Sequence, residues 1–289
     1  MKTYPHHLTF ILLVSLLLHS CLPSDSGARN SMQFHPFHQA KIKQKEMLEI
    51  GADMETVKID LAAEAKIDAE RFKEFQKKYS RIAAIGDSLT QGVGDESGYG
   101  GHIGMLNHLF NEGEKRIHFD TFAKRGTRSE QLIQLLQKEE AKRAIEQADI
   151  VFITIGANDI MQVAKENFMN LTLQEFLDAR HRFEKQIEKI ITIIRSYSED
   201  AEIYFLGFYN PFGVYFHDIK EIETIVQGWN QAVKKIADSH NDTYFIPIAD
   251  LFQGQNAPLY AEDHFHPNYN SYVNITNRIL QYLHLKRVD

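Results

Sequence analysis

A single cysteine, Cys21, is all the chain carries in 289 residues, so no internal disulfide can form and stability must come from packing. No set of histidine, cysteine and carboxylate side chains has the spacing of metal ligands, and neither a metal nor another cofactor is expected. Basic charge is also scarce: the net charge is −7 and the pI about 6.1, with no Lys/Arg stripe, which argues against nucleic acid as a partner. Repeats and low-complexity segments are missing. The N-terminal apolar run, Leu8 to Leu18, is too short to span a bilayer. What remains is ordinary: 43% hydrophobic and 25% charged residues suit one globular domain, long enough to bury a large core without staples.

The short apolar run is preceded by Lys2 and two histidines, the layout of an export signal, and residues 1–20 read as a signal peptide. Leu18-His19-Ser20-Cys21 follows at once and resembles a bacterial lipobox, which implies cleavage before Cys21 and lipidation of that residue. The expected location is then the extracytoplasmic face of the cell membrane, held by a lipid anchor; several acyl chains anchor stably where one does not. The other reading is an ordinary secretory signal with an incidental cysteine. Residues 21–79 read as a lipidated tether followed by a charged, helix-prone segment. The tether's His35 and His38 are read as solvated. Ala65, Phe72 and Phe75 are the packing positions of the stretch from Glu64 to Tyr79, and sequence leaves open whether it packs or stands as a stalk.

From residue 80 to 289 apolar strands alternate with amphipathic helices, which predicts an α/β fold around a parallel sheet. Strands are expected at Arg81–Ile85, Ile117–Ala123, Ile150–Ile155, Glu202–Phe208 and Tyr244–Ile248. Helices are expected at Gly101–Asn111, Ser129–Gln147, Leu173–Tyr197, Ile219–Ser239 and Asn268–Leu283. Phe176, Phe183, Ile187, Ile190, Ile191 and Ile194 form a core stripe on the third of these.

The chain is organised around Ile82-Ala-Ala-Ile-Gly-Asp-Ser-Leu-Thr-Gln-Gly92. A buried strand ends at Gly86, and Ser88 follows in the crevice beyond the strand's carboxyl end, where open parallel sheets bind ligands. Ser88 is therefore a candidate nucleophile, or else a residue that merely caps a turn. Further motifs follow later strands: Arg125-Gly126-Thr127, Gly156-Ala157-Asn158-Asp159, and Asp263-His264-Phe265-His266-Pro267 before the last helix. In order and identity these resemble the four blocks of the SGNH (GDSL) hydrolase family, over roughly Arg81 to Leu285. The second block departs most, with Lys124 and Arg125 where many members carry small residues. Within the family the chain is most similar to the membrane-anchored bacterial lipoproteins. The resemblance implies a three-layer α/β/α, flavodoxin-like domain with a central five-stranded parallel sheet, and an esterase or lipase.

A serine hydroxyl needs a base within hydrogen-bond reach, and an imidazole base needs a carboxylate to hold its tautomer. Asp263 and His266 lie three apart, so one helical turn can join them, with Pro267 at the start of the last helix. His264 is the rival base, but side chains two apart on such a turn diverge, and the family pattern also selects His266. The resemblance implies an oxyanion hole of the Ser88 and Gly126 backbone N–H groups and the Asn158 side chain. Read singly, Gly126 could be only a turn glycine and Asn158 only a turn-forming residue. Asp87 and Asp159 are read as structural, bonding loop backbone.

The expected substrate is a carboxylic ester, either an acyl lipid or an acylated glycan. Two other classes stay open: a binding module for acylated glycans or lipids, and a scaffold for envelope assembly. The aromatic loop 209–218 is a candidate wall for the substrate or a segment packed on the sheet.

Overall fold

The computed structural model describes residues 65–113, 116–167, 172–211, 220–253 and 259–286. Cys21, the signal peptide, the tether to residue 64 and residues 212–218 of the aromatic loop lie outside these. Strand β1 (Arg81–Gly86) carries Ile82, Ala83, Ala84 and Ile85 with no exposure, as a strand covered on both faces requires. It is flanked by β2 (His118–Ala123) and β3 (Ile150–Thr154), and β4 (Glu202–Leu206) and β5 (Thr243–Ile246) follow. All neighbours are parallel and the order is β2-β1-β3-β4-β5. In this order the direction of winding reverses between β1 and β3, and the crevice at their carboxyl ends is the topological switch point.

Successive side chains alternate across the sheet, so each strand feeds two cores. Ala83, Ile85, Val151, Ile153, Ile203 and Phe205 pack on one face. Against them lie α4 (Ser129–Leu136), α5 (Glu139–Glu146), α6 (Ala157–Glu166), α7 (Leu173–Tyr197) and α8 (Lys220–Asp238). Ile82, Ala84, Ile150, Phe152, Tyr204 and Leu206 pack on the other face, which α1 (Ala69–Lys78), α3 (Gly101–Phe110) and α9 (Tyr269–Tyr282) cover. This is the expected three-layer arrangement, and every residue of the α7 stripe is buried. Among the described residues no helix is long and apolar enough to cross a membrane.

Helix α1 settles the question about the stretch before residue 80: it packs. Phe75 and Ala65 are buried, and Phe72 and Phe75 meet Phe110 with ring centroids 5.3 and 5.2 Å apart. Glu202 accepts from Tyr79 Oη at 2.5 Å, Tyr204 Oη at 2.8 Å and Lys78 Nζ at 2.8 Å, tying the end of α1 to the start of β4.

Two expectations are corrected. Ser129–Gln147 is two helices, not one, broken at Lys138, whose backbone is extended. The break has a cause in the pattern. Leu132, Ile133 and Leu136 set a stripe that a straight helix would continue at Glu140 and Arg143, but the buried residues are Ala141, Ala144 and Ile145. Interrupting the helix re-phases the stripe onto the sheet. Helix α6 was not expected at all, because Gly156 to Asp159 reads as a loop motif. Those residues instead open a helix whose Val163 and Ala164 are buried.

Candidate active site

Between β1 and the first turn beyond it the chain has no room for a side chain. A Cβ on Gly86 would lie 2.3 Å from the Thr154 carbonyl oxygen and 2.5 Å from Thr154 Oγ1. That closeness brings Asp87 onto the end of β3. Asp87 caps α2 (Ser88–Gln91): its Oδ1 accepts from Leu89 N at 3.0 Å and from Thr154 Oγ1 at 3.0 Å. Thr90 and Thr154 hydroxyls are 2.6 Å apart beneath it. Ser88, the first residue of α2, is thus set by a hydrogen-bonded base and not by its own capping, which falls to Asp87.

Burial pushes the Asp87 carboxyl up to about 6, against its two hydrogen bonds and with a smaller push from Asp159. A carboxyl raised in the folded state is protonated there after the unfolded chain has already lost its proton. Stability therefore falls as pH rises from about 4 to about 6, by an amount on the order of 3 kcal/mol. Asp87→Asn keeps an oxygen for Leu89 and Thr154 without the charge. Urea unfolding is expected to find the variant's advantage over the wild type growing by that order between pH 4 and pH 7. Equal differences at the two pH values would show that Asp87 does not titrate in this range.

Asp263 to His266 form a bend and not the expected helical turn, and Asp263 holds it together. Its Oδ1 accepts from Phe265 N at 3.1 Å and His266 N at 2.9 Å. His264 takes a left-handed backbone, φ 55°, which lets the chain fold back. An antiparallel bridge between Tyr260 and Pro267 closes the loop. Pro267 therefore precedes the last helix rather than starting it, and Asn268 caps α9 by accepting from Ser271 N at 3.0 Å. Proline suits the bridge because the loop's paired donors are Ala261 N and Asn268 N.

The bend aims the imidazole. His266 is 2% exposed, its Nδ1 lies 2.5 Å from Asp263 Oδ2 and its Nε2 lies 2.9 Å from Ser88 Oγ. Since an ionised carboxylate can only accept, Nδ1 carries the proton and Nε2 accepts from the Ser88 hydroxyl. Burial pushes the Asp263 carboxyl up, but the side-chain and backbone hydrogen bonds from His266 outweigh it and hold the group well below the usual range. Asp263 stays ionised through mildly acidic conditions and keeps its grip on the ring. His264 is exposed, and it is the His266 ring that reaches Ser88 Oγ.

The remaining expected residues follow β2 and β3, Gly126 in the loop after β2 and Asn158 in the first turn of α6. Gly126 has φ 83°, which disfavours any other residue, and the space where a Cβ would lie is open to 4 Å. The N–H groups of Ser88 and Gly126 donate to no acceptor among the described residues. Asn158 donates from Nδ2 to the Thr127 carbonyl at 3.0 Å, which fixes the amide plane and ties the start of α6 to the loop carrying Gly126. Asp159 does the same from α6, accepting from Ser129 N at 3.0 Å and Ser129 Oγ at 2.5 Å. Burial raises the Asp159 carboxyl, and these Ser129 bonds oppose the shift.

Three residues take supporting roles that were not assigned to them from the sequence. Thr154 was legible as a lone hydroxyl ending an apolar strand. Gln91 accepts from Arg125 N at 2.7 Å, and Tyr209 donates to the Phe265 carbonyl at 2.9 Å, bracing the histidine bend. Neither carries a local signal. Among the described residues no cluster of His, Cys and carboxylate groups could hold a metal ion.

A parallel α/β sheet with a serine, histidine and aspartate linked across its switch point defines a hydrolase-type architecture. The chain belongs to the GDSL-like lipase/acylhydrolase family, whose model matches residues 84–272, and is an ester hydrolase of the GDSL/SGNH type. It is 35% identical to protein YpmR of Bacillus subtilis (strain 168) over 227 residues, 77% of this chain and 88% of that one. It is 23% identical to the spore germination lipase LipC of Bacillus licheniformis over 204 residues, 69% of this chain and 94% of that one. Among solved structures, the lipase Lip_vut3 from a goat rumen metagenome superposes with a TM-score of 0.63 at 22% identity. That match covers 73% of this chain and all of the other, a likeness of fold.

Proposed function

We propose that the chain hydrolyses a carboxylic ester through an acyl-enzyme on Ser88, at the extracytoplasmic face of a membrane to which Cys21 anchors it. The observation that carries the mechanism is the unbroken link from Asp263 Oδ2 through His266 to Ser88 Oγ, with spans of 2.5 and 2.9 Å. As Ser88 Oγ attacks the ester carbon, His266 Nε2 takes its proton and Asp263 stabilises the imidazolium. The oxyanion is met by the Ser88 and Gly126 N–H groups and the Asn158 amide. On collapse, the C–O bond to the alcohol breaks and His266 returns the proton to the leaving oxygen. Water, deprotonated by the same nitrogen, then releases the acid and restores Ser88.

A fluorophosphonate probe is expected to label the wild type on Ser88, with no labelling of Ser88→Ala. Labelling elsewhere, or none with ester turnover intact, would remove Ser88 from the mechanism. The anchor rests on the h-region and on Leu-x-Ser-Cys at the chain's one cysteine. Metabolic labelling with a fatty-acid analogue is expected to mark the wild type and not Cys21→Ser; equal labelling of the two would sink the anchor.

A further inference from the structure

Beside the Ser88 turn runs a groove that the acyl-transfer chemistry leaves unused. A cavity of about 290 Å³ lies between the edge strand β2 and helix α3, with Gln91, Tyr99, Asn107, Phe119 and Thr121 in its walls. Asn107 and Phe119 also line a second cavity of about 590 Å³, which continues along β2 to Arg116 and His118. The two together follow six residues of edge strand, about 20 Å at roughly 3.3 Å per residue.

The groove begins at the site. Gln91 ends the turn that Ser88 opens, and its accepted bond from Arg125 N joins the wall to the loop carrying Gly126. Ala123, also in the wall, pairs in register with Gly86, two residues before Ser88.

Its chemistry is polar but uncharged at this end. No carboxylate, ammonium, guanidinium or imidazole lines the cavity nearer Ser88. The Gln91 and Asn107 amide oxygens are already engaged by Arg125 N and by Asn111 Nδ2 at 2.7 Å, which leaves their NH₂ groups as donors. Thr121 adds a hydroxyl on the exposed side of β2, and Tyr99 and Phe119 add aromatic rings. An acyl tail would cover these amides without satisfying them, at a cost. An anion would find no cation at this end; Arg116 lies at the far end of the second cavity, opposite in charge to Glu112 beside it. A sugar ring offers hydroxyl oxygens to the amides and an apolar C–H face to the rings.

We infer that this groove holds a neutral oligosaccharide, so that the ester cleaved at Ser88 is an acylated glycan whose sugar part lies along β2. The inference rests on the Ser88 reading above, and its test separates the two. In one arm, kcat/KM is measured on acetylated xylotetraose, acetylated chitotetraose and 4-nitrophenyl acetate, with the wild type and with Asn107→Leu/Thr121→Val. Both positions are exposed, and valine suits a strand, so the fold is spared. The ratio of glycan-ester to nitrophenyl-ester kcat/KM is expected to fall about tenfold, mostly through KM, or about 1.4 kcal/mol. An unchanged ratio on both glycans overturns the groove.

In the other arm, unacetylated xylotetraose and chitotetraose are titrated into the Ser88→Ala protein by calorimetry. Saturable binding of one, lost when the groove substitutions are added, is expected; binding of neither, or binding the substitutions leave alone, overturns the proposal. Should Ser88 not be the nucleophile, fluorophosphonate labelling fails while this second arm still reads the groove.

Discussion

Replacing His266 with alanine is expected to abolish ester turnover, lowering kcat on the order of 10⁴-fold or more. The size follows from its two contacts. His266 is the side chain that reaches Ser88 Oγ, at 2.9 Å, and it alone couples that hydroxyl to Asp263. Without it the hydroxyl has no acceptor for its proton during attack, and the leaving oxygen has no donor. His264→Asn is the matched control. Asparagine tolerates the left-handed backbone that His264 adopts at φ 55°, so the bend aiming His266 is preserved and most activity should remain. Steady-state kinetics on a nitrophenyl ester, with circular dichroism to confirm folding, decides the matter. Loss with His264→Asn and retention with His266→Ala would reassign the base.

The sheet was legible because parallel strands covered on both faces are short apolar runs, and Ile82–Ile85 and Ile150–Thr154 are such runs. Motif order directed attention to the segments beyond β1 and β3, because the carboxyl ends of these strands flank the switch point and Ser88 and Asn158 follow them. What sequence misassigned were local backbone shapes. Three-residue spacing between Asp263 and His266 suggests a helical turn, yet the side chain of Asp263 supplies the turn itself by accepting from two backbone N–H groups. Pro267 looks like a helix start and is instead half of a bridge to Tyr260. Tyr209 braces the bend from 56 residues away, a contact that no local pattern encodes. Periodicity reports which face a residue takes; it is silent about which distant carbonyl a hydroxyl will find.

Asn158→Ala is expected to lower kcat about 10²–10³-fold while leaving KM nearly unchanged, roughly 2.7–4 kcal/mol of transition-state stabilisation. The residues flanking Ser88 are Asp87 and Leu89, with Gly86 and Thr90 beyond, so the Gly-x-Ser-x-Gly turn that builds a hole from backbone amides alone is absent. In the proposed mechanism a side-chain donor joins the Ser88 and Gly126 N–H groups. Asn158 has one amide hydrogen committed to the Thr127 carbonyl at 3.0 Å, which holds the amide in place and leaves the second hydrogen for the substrate oxygen. That bond matters most once negative charge has developed, because a ground-state carbonyl is a weaker acceptor; hence the effect falls on kcat. The alanine variant also loses the tie to Thr127, a hydrogen bond worth about 1 kcal/mol, so a fall in melting temperature of a few degrees should accompany the kinetic loss. Both consequences recur in Asn158→Asp, whose carboxylate oxygens cannot donate to Thr127 and would repel the oxyanion. Its kcat should fall at least as far as that of Asn158→Ala. If either variant turned over ester at the wild-type rate, or if KM rose while kcat held, Asn158 would be a tie between α6 and the loop after β2 and the third donor would have to be sought elsewhere.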